Sequence, residues 1–345
     1  MARLAVLASG MVTGLGFNAP ATLAALRAGI SAIQETPWYD FESGEPLQGA
    51  KVALPQWWEG LGKLADLIAP AIQECLQAAA PVPAAKIPLL IGVAAASRPG
   101  RIADLDERLL AEVEVRIGLP RHPDSGLIAM DQVGCAQALV VADRLIREGR
   151  ADRVVVAGVD SFLQRATIEA LNNERRLMTP ANSNGFFPGE AGCAILIGAA
   201  GSSREVAPTI AGFGMARESA TIQGNDPLRA AGMTQAVRQA LDSAGVALKD
   251  VAFRLTDLSG EHYKFKEAAF VAGRLNGGER EQPLDLWHPI EYLGEIGAAI
   301  LPCLLAQAAH ALQKRYAPGP LALCHVGSDD GWRAALIIDM RGVPA

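Results

Sequence analysis

The chain's 345 residues, half of them hydrophobic and only 5% aromatic, can bury a large core as one big domain or two fused halves. Its 31 basic and 37 acidic residues give a net charge of −6 without a basic block, which removes the electrostatic footprint expected of a nucleic-acid binder. Pro302, Gln307 and His310 interrupt the most apolar stretch, so no segment reads as a membrane span.

LAVLA (4–8) opens the chain, and because Ser9 and Gly10 break its apolar run it reads as a first strand rather than a signal peptide. GLGFNA (14–19) formally matches G-x-G-x-x-A. It begins several residues after the strand instead of at its end, and so reads as a turn rather than a dinucleotide site. The helical pattern ATLAALRAGI and the strand-like run IPLLIGVAA (87–95) follow. Next comes a helix over 133–148, entered through a tight polar corner that places Gln132 and Cys135 near its start. RVVVAGVD (153–160) and CAILIG (193–198) read as strands, and AAGSSREVAP (199–208) as a break. Beyond it the same alternation resumes: PTIAGFG (208–214), a helix in TQAVRQALDSAGV, VAFRLTD (251–257), a helix from about Glu295 to Lys314, PLALCHVG (320–327) and AALIID (334–339). Such alternation argues for α/β layers.

The chain also repeats its own plan. ATLAALRAGI resembles TQAVRQALDSAGV, each a helix closed by glycine, and each half continues as strand, buried helix, strand, strand. The expected architecture is therefore two similar halves, 1–205 and 206–345, stacked as α/β/α/β/α layers with two nearly charge-free helices at the centre. In this scheme Gln132 and Glu291 are equivalent, each opening its half's buried helix. Helix N-termini carry free N–H groups and partial positive charge, so two that meet make a seat for an anion or a thiolate.

Five cysteines, at 75, 135, 193, 303 and 324, lack any C-x-x-C spacing and read as small buried hydrophobes in a reducing, cytoplasmic compartment. No spacing of ligands suggests a metal: His325 beside Cys324 stands alone, and His122 and His310 read as surface or satisfied polar residues. No cofactor is expected. NNERR (172–176) offers two arginines to an acidic carrier protein, or forms a solvated and internally paired face.

Several stretches together resemble the β-ketoacyl-acyl-carrier-protein synthases of the thiolase superfamily. They are RLAVLASGMVTGLGFNAPATLAALRAGISAI, the buried helix with GRADRVVVAGVDS, NGFFPGEAG, LTDLSGEHYKFKEA, EYLGEIGAA and HVGSDDGWRAALII, which span almost the whole chain. The resemblance implies the duplicated fold and a Cys-His-His site. In this sequence the nucleophile's position falls on Gln132, with Cys135 one turn later, about 4.5 Å further along the helix axis. The first histidine, in N-x-H-G-T, falls on Ser259; the second, in G-H-S-L-G-A-A-G, on Glu291; and a lysine five positions before it on Leu286. The G-F-G-G-T-N loop becomes Gly327 to Trp332, and Trp287 and Trp332 are expected to fill part of the pocket.

Condensation needs a thiolate to carry the acyl group and donors to stabilise the enolate and oxyanion. With an amide, a hydroxyl and a carboxylate in those seats, the expectation is a catalytically silent protein that acts by binding. It would pair as a homodimer or heterodimer with a ketosynthase-like protein through the edge of RVVVAGVD, with acyl carrier protein as a further partner in fatty acid or polyketide synthesis. The alternative setting is an adaptor in a bacterial secretion cluster such as type VI, handling an effector. The rival class is an acyl-thioester enzyme, an acyltransferase, thioesterase or decarboxylase, using Cys135 with His262 or His288; Ser259 lacks a nucleophile elbow and reads as a turn hydroxyl.

Overall fold

All eight apolar runs become strands in the structure, a computed structural model that describes residues 3–202, 206–276 and 284–341. Of the break AAGSSREVAP, residues 203–205 lie outside the described residues, as does the expected boundary at 205.

The first part of the chain runs β1 (Leu4–Thr13), α1 (Ala19–Arg27), the hairpin β2 (Gln34–Tyr39) and β3 (Pro46–Gly49), α2 (Leu61–Ala78), β4 (Leu89–Val93) and α3 (Leu105–Ile117). It continues with β5 (Gly126–Ala129), α4 (Gly134–Arg147), β6 (Arg153–Ser161), α5 (Arg165–Asn173) and β7 (Glu190–Ala199). The second part runs β8 (Thr209–Arg217), α6 (Ala231–Ala244), β9 (Phe253–Thr256), α7 (His262–Asn276) and β10 (Asp285–Trp287). After these come α8 (Ile290–Leu293), α9 (Ile300–Gln313), β11 (Leu321–Gly327) and β12 (Trp332–Asp339).

Strand order is β10-β9-β11-β12-β8-β1-β7-β6-β4-β5. Read inward from its two ends it gives the same pattern twice: three parallel strands, then two antiparallel ones. Among the described residues the two five-strand runs join at the start of β1, where Leu4 and Ala5 pair with Ile210 and Thr209 and the Val6 amide donates to the Pro208 carbonyl. α4 and α9 lie between them in one core that draws on strands of both runs, whereas α2 with α3 and α6 with α7 cover the outer faces. The five-layer α/β/α/β/α arrangement is thus present. β5 and β10, which the sequence reading omitted, each precede a central helix; they are short, at four and three residues, and leave little periodic signal.

Two expectations are corrected here. The counterpart of α6 is α2, not the ATLAALRAGI helix: α2 packs on β1 and β7 as α6 packs on β8 and β12. Glycines permit both approaches. A Cβ on Gly10 would stand 2.0 Å from the Ala71 carbonyl oxygen, and one on Gly212 would stand 2.0 Å from that of Ala240. The second correction concerns RVVVAGVD. As β6 it is paired on both sides, with β4 and β7, and has no edge to offer; the edge strand of its own run is the half-buried β5, and β10 is the edge at the other end. Among the described residues, no helix is long and apolar enough to cross a membrane.

Candidate functional site at two helix entrances

Both central helices begin the same way. A 3-10 turn, Asp131–Val133, feeds α4, and another, Gly297–Ala299, feeds α9; the two turns pack together. Each turn starts on a residue with positive φ, Asp131 at 50° and Gly297 at 51°. Glycine adopts this without cost, while an aspartate must be held there. Asp131 is held by the Ala95 amide, which donates to its Oδ1 at 2.9 Å, and by the Arg98 guanidinium.

The free N–H groups at the α9 entrance meet the protein's own carboxylates. Ala298 N–H donates to Asp160 Oδ2 at 3.0 Å, and Gly297 N–H to Glu295 Oε1 at 2.9 Å. Gln132 stands at the α4 entrance, 5% exposed; its Nε2 donates to Glu295 Oε1 at 3.4 Å, and its Oε1 has no hydrogen-bond partner.

Three cations tie these carboxylates together. Arg98 bridges Asp131 and Asp160 with its guanidinium over the Phe162 ring. Lys264 Nζ lies 2.9 Å from Asp257 and 3.6 Å from Glu295. Arg176 grips Glu261 through two nitrogens and reaches both carboxylate oxygens of Asp329. Burial opposes the charge of Lys264, but Asp257 and Glu295 outweigh it and hold the ammonium protonated. Burial raises the carboxyl of Glu295 above its ordinary range against the pull of Lys264, and raises that of Asp131 against Arg98. Asp329 goes the other way, since Arg176, Lys264 and Arg98 overcome its burial and lower it. A cleft of about 140 Å³ opens over this floor, lined by Gln132, Arg98, Asp131, Phe162, Arg176 and Asp329 among others.

Gln132 therefore stands where the sequence placed it. Glu291 does not: it lies exposed on the short α8, outside the entrance of α9, and the carboxylate that meets Gln132 is Glu295. Gly294 directly before Glu295, with Ala298 and Ala299 after it, fits G-H…A-A with a single-residue deletion, and this was the available signal. Ser259 is buried behind Glu261, accepts from its amide at 3.5 Å and lies 3.4 Å from its carboxylate, a turn hydroxyl as expected. Leu286 is on β10, paired with Arg254. The lysine in the site is Lys264, from α7.

The pairing of Cys135 with His262 or His288 is not formed. Cys135 is fully buried, its Sγ faces the carbonyls of Ala157 and Ala298 at 3.2 and 3.5 Å, and burial pushes its thiol up to about 12. His262 is exposed at the start of α7, and the His288 ring packs edge-on against Phe265. Trp287 and Trp332 do not fill the cleft either; Trp287 packs on Phe253 and Tyr316, and Trp332 lies under Arg217. Of NNERR, Arg175 is exposed beside Glu42 while Arg176 is internal to the network. In GLGFNA, Asn18 caps α1 and the Glu74 carboxylate accepts the Ala19 amide at 2.9 Å, so a protein anion fills the place a pyrophosphate would need. Among the described residues no three His, Cys, Asp or Glu side chains group to hold a metal ion. Sequence reasoning missed Arg98, Asp160 and Lys264, which come from three separate elements and share no spacing.

No protein-family model matches the chain, and no curated protein does. Solved structures match along nearly the full length. One belongs to a type II PKS acyl-carrier protein in complex with its ketosynthase, at TM-score 0.80 and 14% identity, covering 98% of this chain and 99% of that one. Another is from the complex of a ketosynthase with its chain length factor from Xenorhabdus doucetiae, at 0.77 and 15%, covering 98% of each chain. A third is from the ishigamide ketosynthase/chain length factor, at 0.79 and 16%, covering 99% and 100%. The fold is the thiolase-like fold of ketosynthases and chain length factors.

Proposed function

We propose that this chain is a ketosynthase-like protein, two halves at 1–205 and 206–345, that acts by binding rather than by condensation, as the non-catalytic member of a heterodimer with a ketosynthase. The observation that carries this reading is the occupancy of the two helix entrances. The donors that would stabilise an oxyanion at α9 are engaged by Asp160 and Glu295, and the side chain heading α4 is an amide. Gln132 forms no thioester, and a malonyl carboxylate would meet Glu295 across the seat. The nearby thiol, Cys135, is fully buried and faces the carbonyls of Ala157 and Ala298.

Structural neighbours that pair a ketosynthase with a chain length factor, or with an acyl-carrier protein, support a partner of that kind. β5 supplies a contact edge, because its backbone pairs with β4 on one side only. The test joins assembly and turnover. Coexpressed with the ketosynthase of its native cell, the chain should co-purify as a stoichiometric complex, and alone it should release neither CO2 nor free thiol from malonyl and acyl thioesters. Turnover by the isolated chain that disappears in Cys135→Ser would overturn the reading.

A further inference from the structure

Helix α7 buries one side, through Lys264, Glu267, Ala268 and Val271, and leaves the other to solvent. His262, Phe265, Lys266, Phe270 and Arg274 are exposed on it. Glu267 is the only acidic residue of the helix, and Arg333 engages it from the buried side at 2.8 Å. The solvent side of α7 therefore carries basic residues alone.

The helices of the first part of the chain are built differently. Arg108 and Arg116 on α3, Arg147 on α4 and Arg165 on α5 each face a carboxylate four residues away. Lys266 and Arg274 form no ion pair among the described residues. They lie instead against one ring, Lys266 Nζ and Arg274 Cζ both 5.7 Å from the centroid of Phe270. Arg274 also donates to the Arg229 carbonyl, which brings the exposed Arg229 to the end of the same row.

Lys266, Phe270 and Arg274 stand at i, i+4 and i+8, a row about 12 Å long. On a chain of net charge −6 this row is a local reversal of sign. Cations without counter-ions call for carboxylates, and Phe270 between them calls for an apolar side chain. Phe265 and Phe270 are 45% and 37% exposed, so both rings lie in the surface rather than protruding as a wedge into a bilayer would require. A few cations on one helix are also too short a track for a phosphate backbone.

We infer that this face of α7 docks an acidic amphipathic helix of a partner protein. Two of its carboxylates, two turns apart, pair with Lys266 and Arg274, and an apolar side chain between them rests on Phe270. The inference goes beyond the reading above, because the residue that α7 contributes beside Glu295 is Lys264, on its buried side.

Fluorescence anisotropy on the full chain tests it with a labelled helical peptide that carries glutamates two turns apart around a leucine, and with its glutamine and lysine counterparts. The glutamate peptide should bind, with affinity falling as salt rises, and the glutamine peptide should bind about tenfold more weakly or worse. Joint replacement Lys266→Glu and Arg274→Glu should lose the glutamate peptide by a similar factor and gain the lysine one, an exchange that a damaged fold cannot produce. Phe270→Ala should weaken binding about fivefold or more. Arg108→Glu, a reversal on α3, should leave binding unchanged. The inference is overturned if the glutamate peptide does not bind, or if the glutamine peptide or the doubly reversed chain binds as tightly. A loss in Arg108→Glu equal to that of the double reversal, or binding to phosphatidylserine vesicles in place of the peptide, would overturn it too.

Discussion

At the entrance of α9 two carboxylates accept the free amides of Gly297 and Ala298, whereas at the entrance of α4 the side chain that stands over the turn is a neutral amide with an idle oxygen. The local geometry is otherwise shared, a 3-10 turn begun at positive φ and continued as a buried helix. The difference shows what such an entrance demands physically. Buried N–H groups must be satisfied, and a protein carboxylate does this as well as a ligand oxyanion would. A nucleophile is not part of that demand, so the turn and the buried helix form with the amide of Gln132 at the entrance.

The comparison breaks most severely at Arg98. Arg98→Ala would leave Asp131 and Asp160 as uncompensated buried carboxylates and unpin the positive-φ turn, costing about 3–5 kcal/mol in urea unfolding. Glu295→Ala should cost less, about 1–3 kcal/mol, since it strips the acceptor from Gly297 and from Gln132 while Lys264 keeps Asp257. Glu295→Gln keeps an acceptor there and should recover most of that loss.

Acid titration sharpens the contrast further. The Glu295 carboxyl is raised in the fold, so between its ordinary 4.5 and its higher folded value the native state holds the extra proton, and stability rises as pH falls through that window. Glu295→Gln should remove this slope, which is at most about 1.4 kcal/mol per pH unit for one proton. Asp329 is lowered, so its contribution is present above 3.8 and is lost as pH falls through its folded value, the opposite sign. Melting temperatures of native chain and variant from pH 7 down to 4 check the first, and from pH 4 down to 2 the second. The smallest effect is expected at His262: exposed and outside the network, it should change stability by no more than about 0.5 kcal/mol on replacement by alanine.

The sequence made the layers legible because strands such as RVVVAGVD and central helices such as GCAQALVVA carry strong, uninterrupted signals. Gln132 was legible for a related reason, lying two residues before α4 begins at Gly134. Glu295 was not, because two glutamates four residues apart in EYLGEIG offer two registers, and only the folded turn, where Glu295 accepts from Gly297 and Gln132, chooses between them. The cations were hidden more thoroughly. Arg98 follows β4, Lys264 is on α7 and Arg176 follows α5, so their convergence is a property of topology rather than of any motif. Helix α2 shows the same limit: its glycine contacts on β1 and β7 became visible only once the strands were neighbours.

Asp160 lies one residue before the end of β6 in the first five-strand run, yet it caps the entrance of α9 from the second part of the chain, while its second oxygen grips Arg98. A single side chain thereby rivets the two repeats across their common core. Split between Ala199 and Thr209, the first piece would carry an unspent carboxylate and the second a helix with a bare amide, so the repeats should melt together in one transition and fold poorly when made apart.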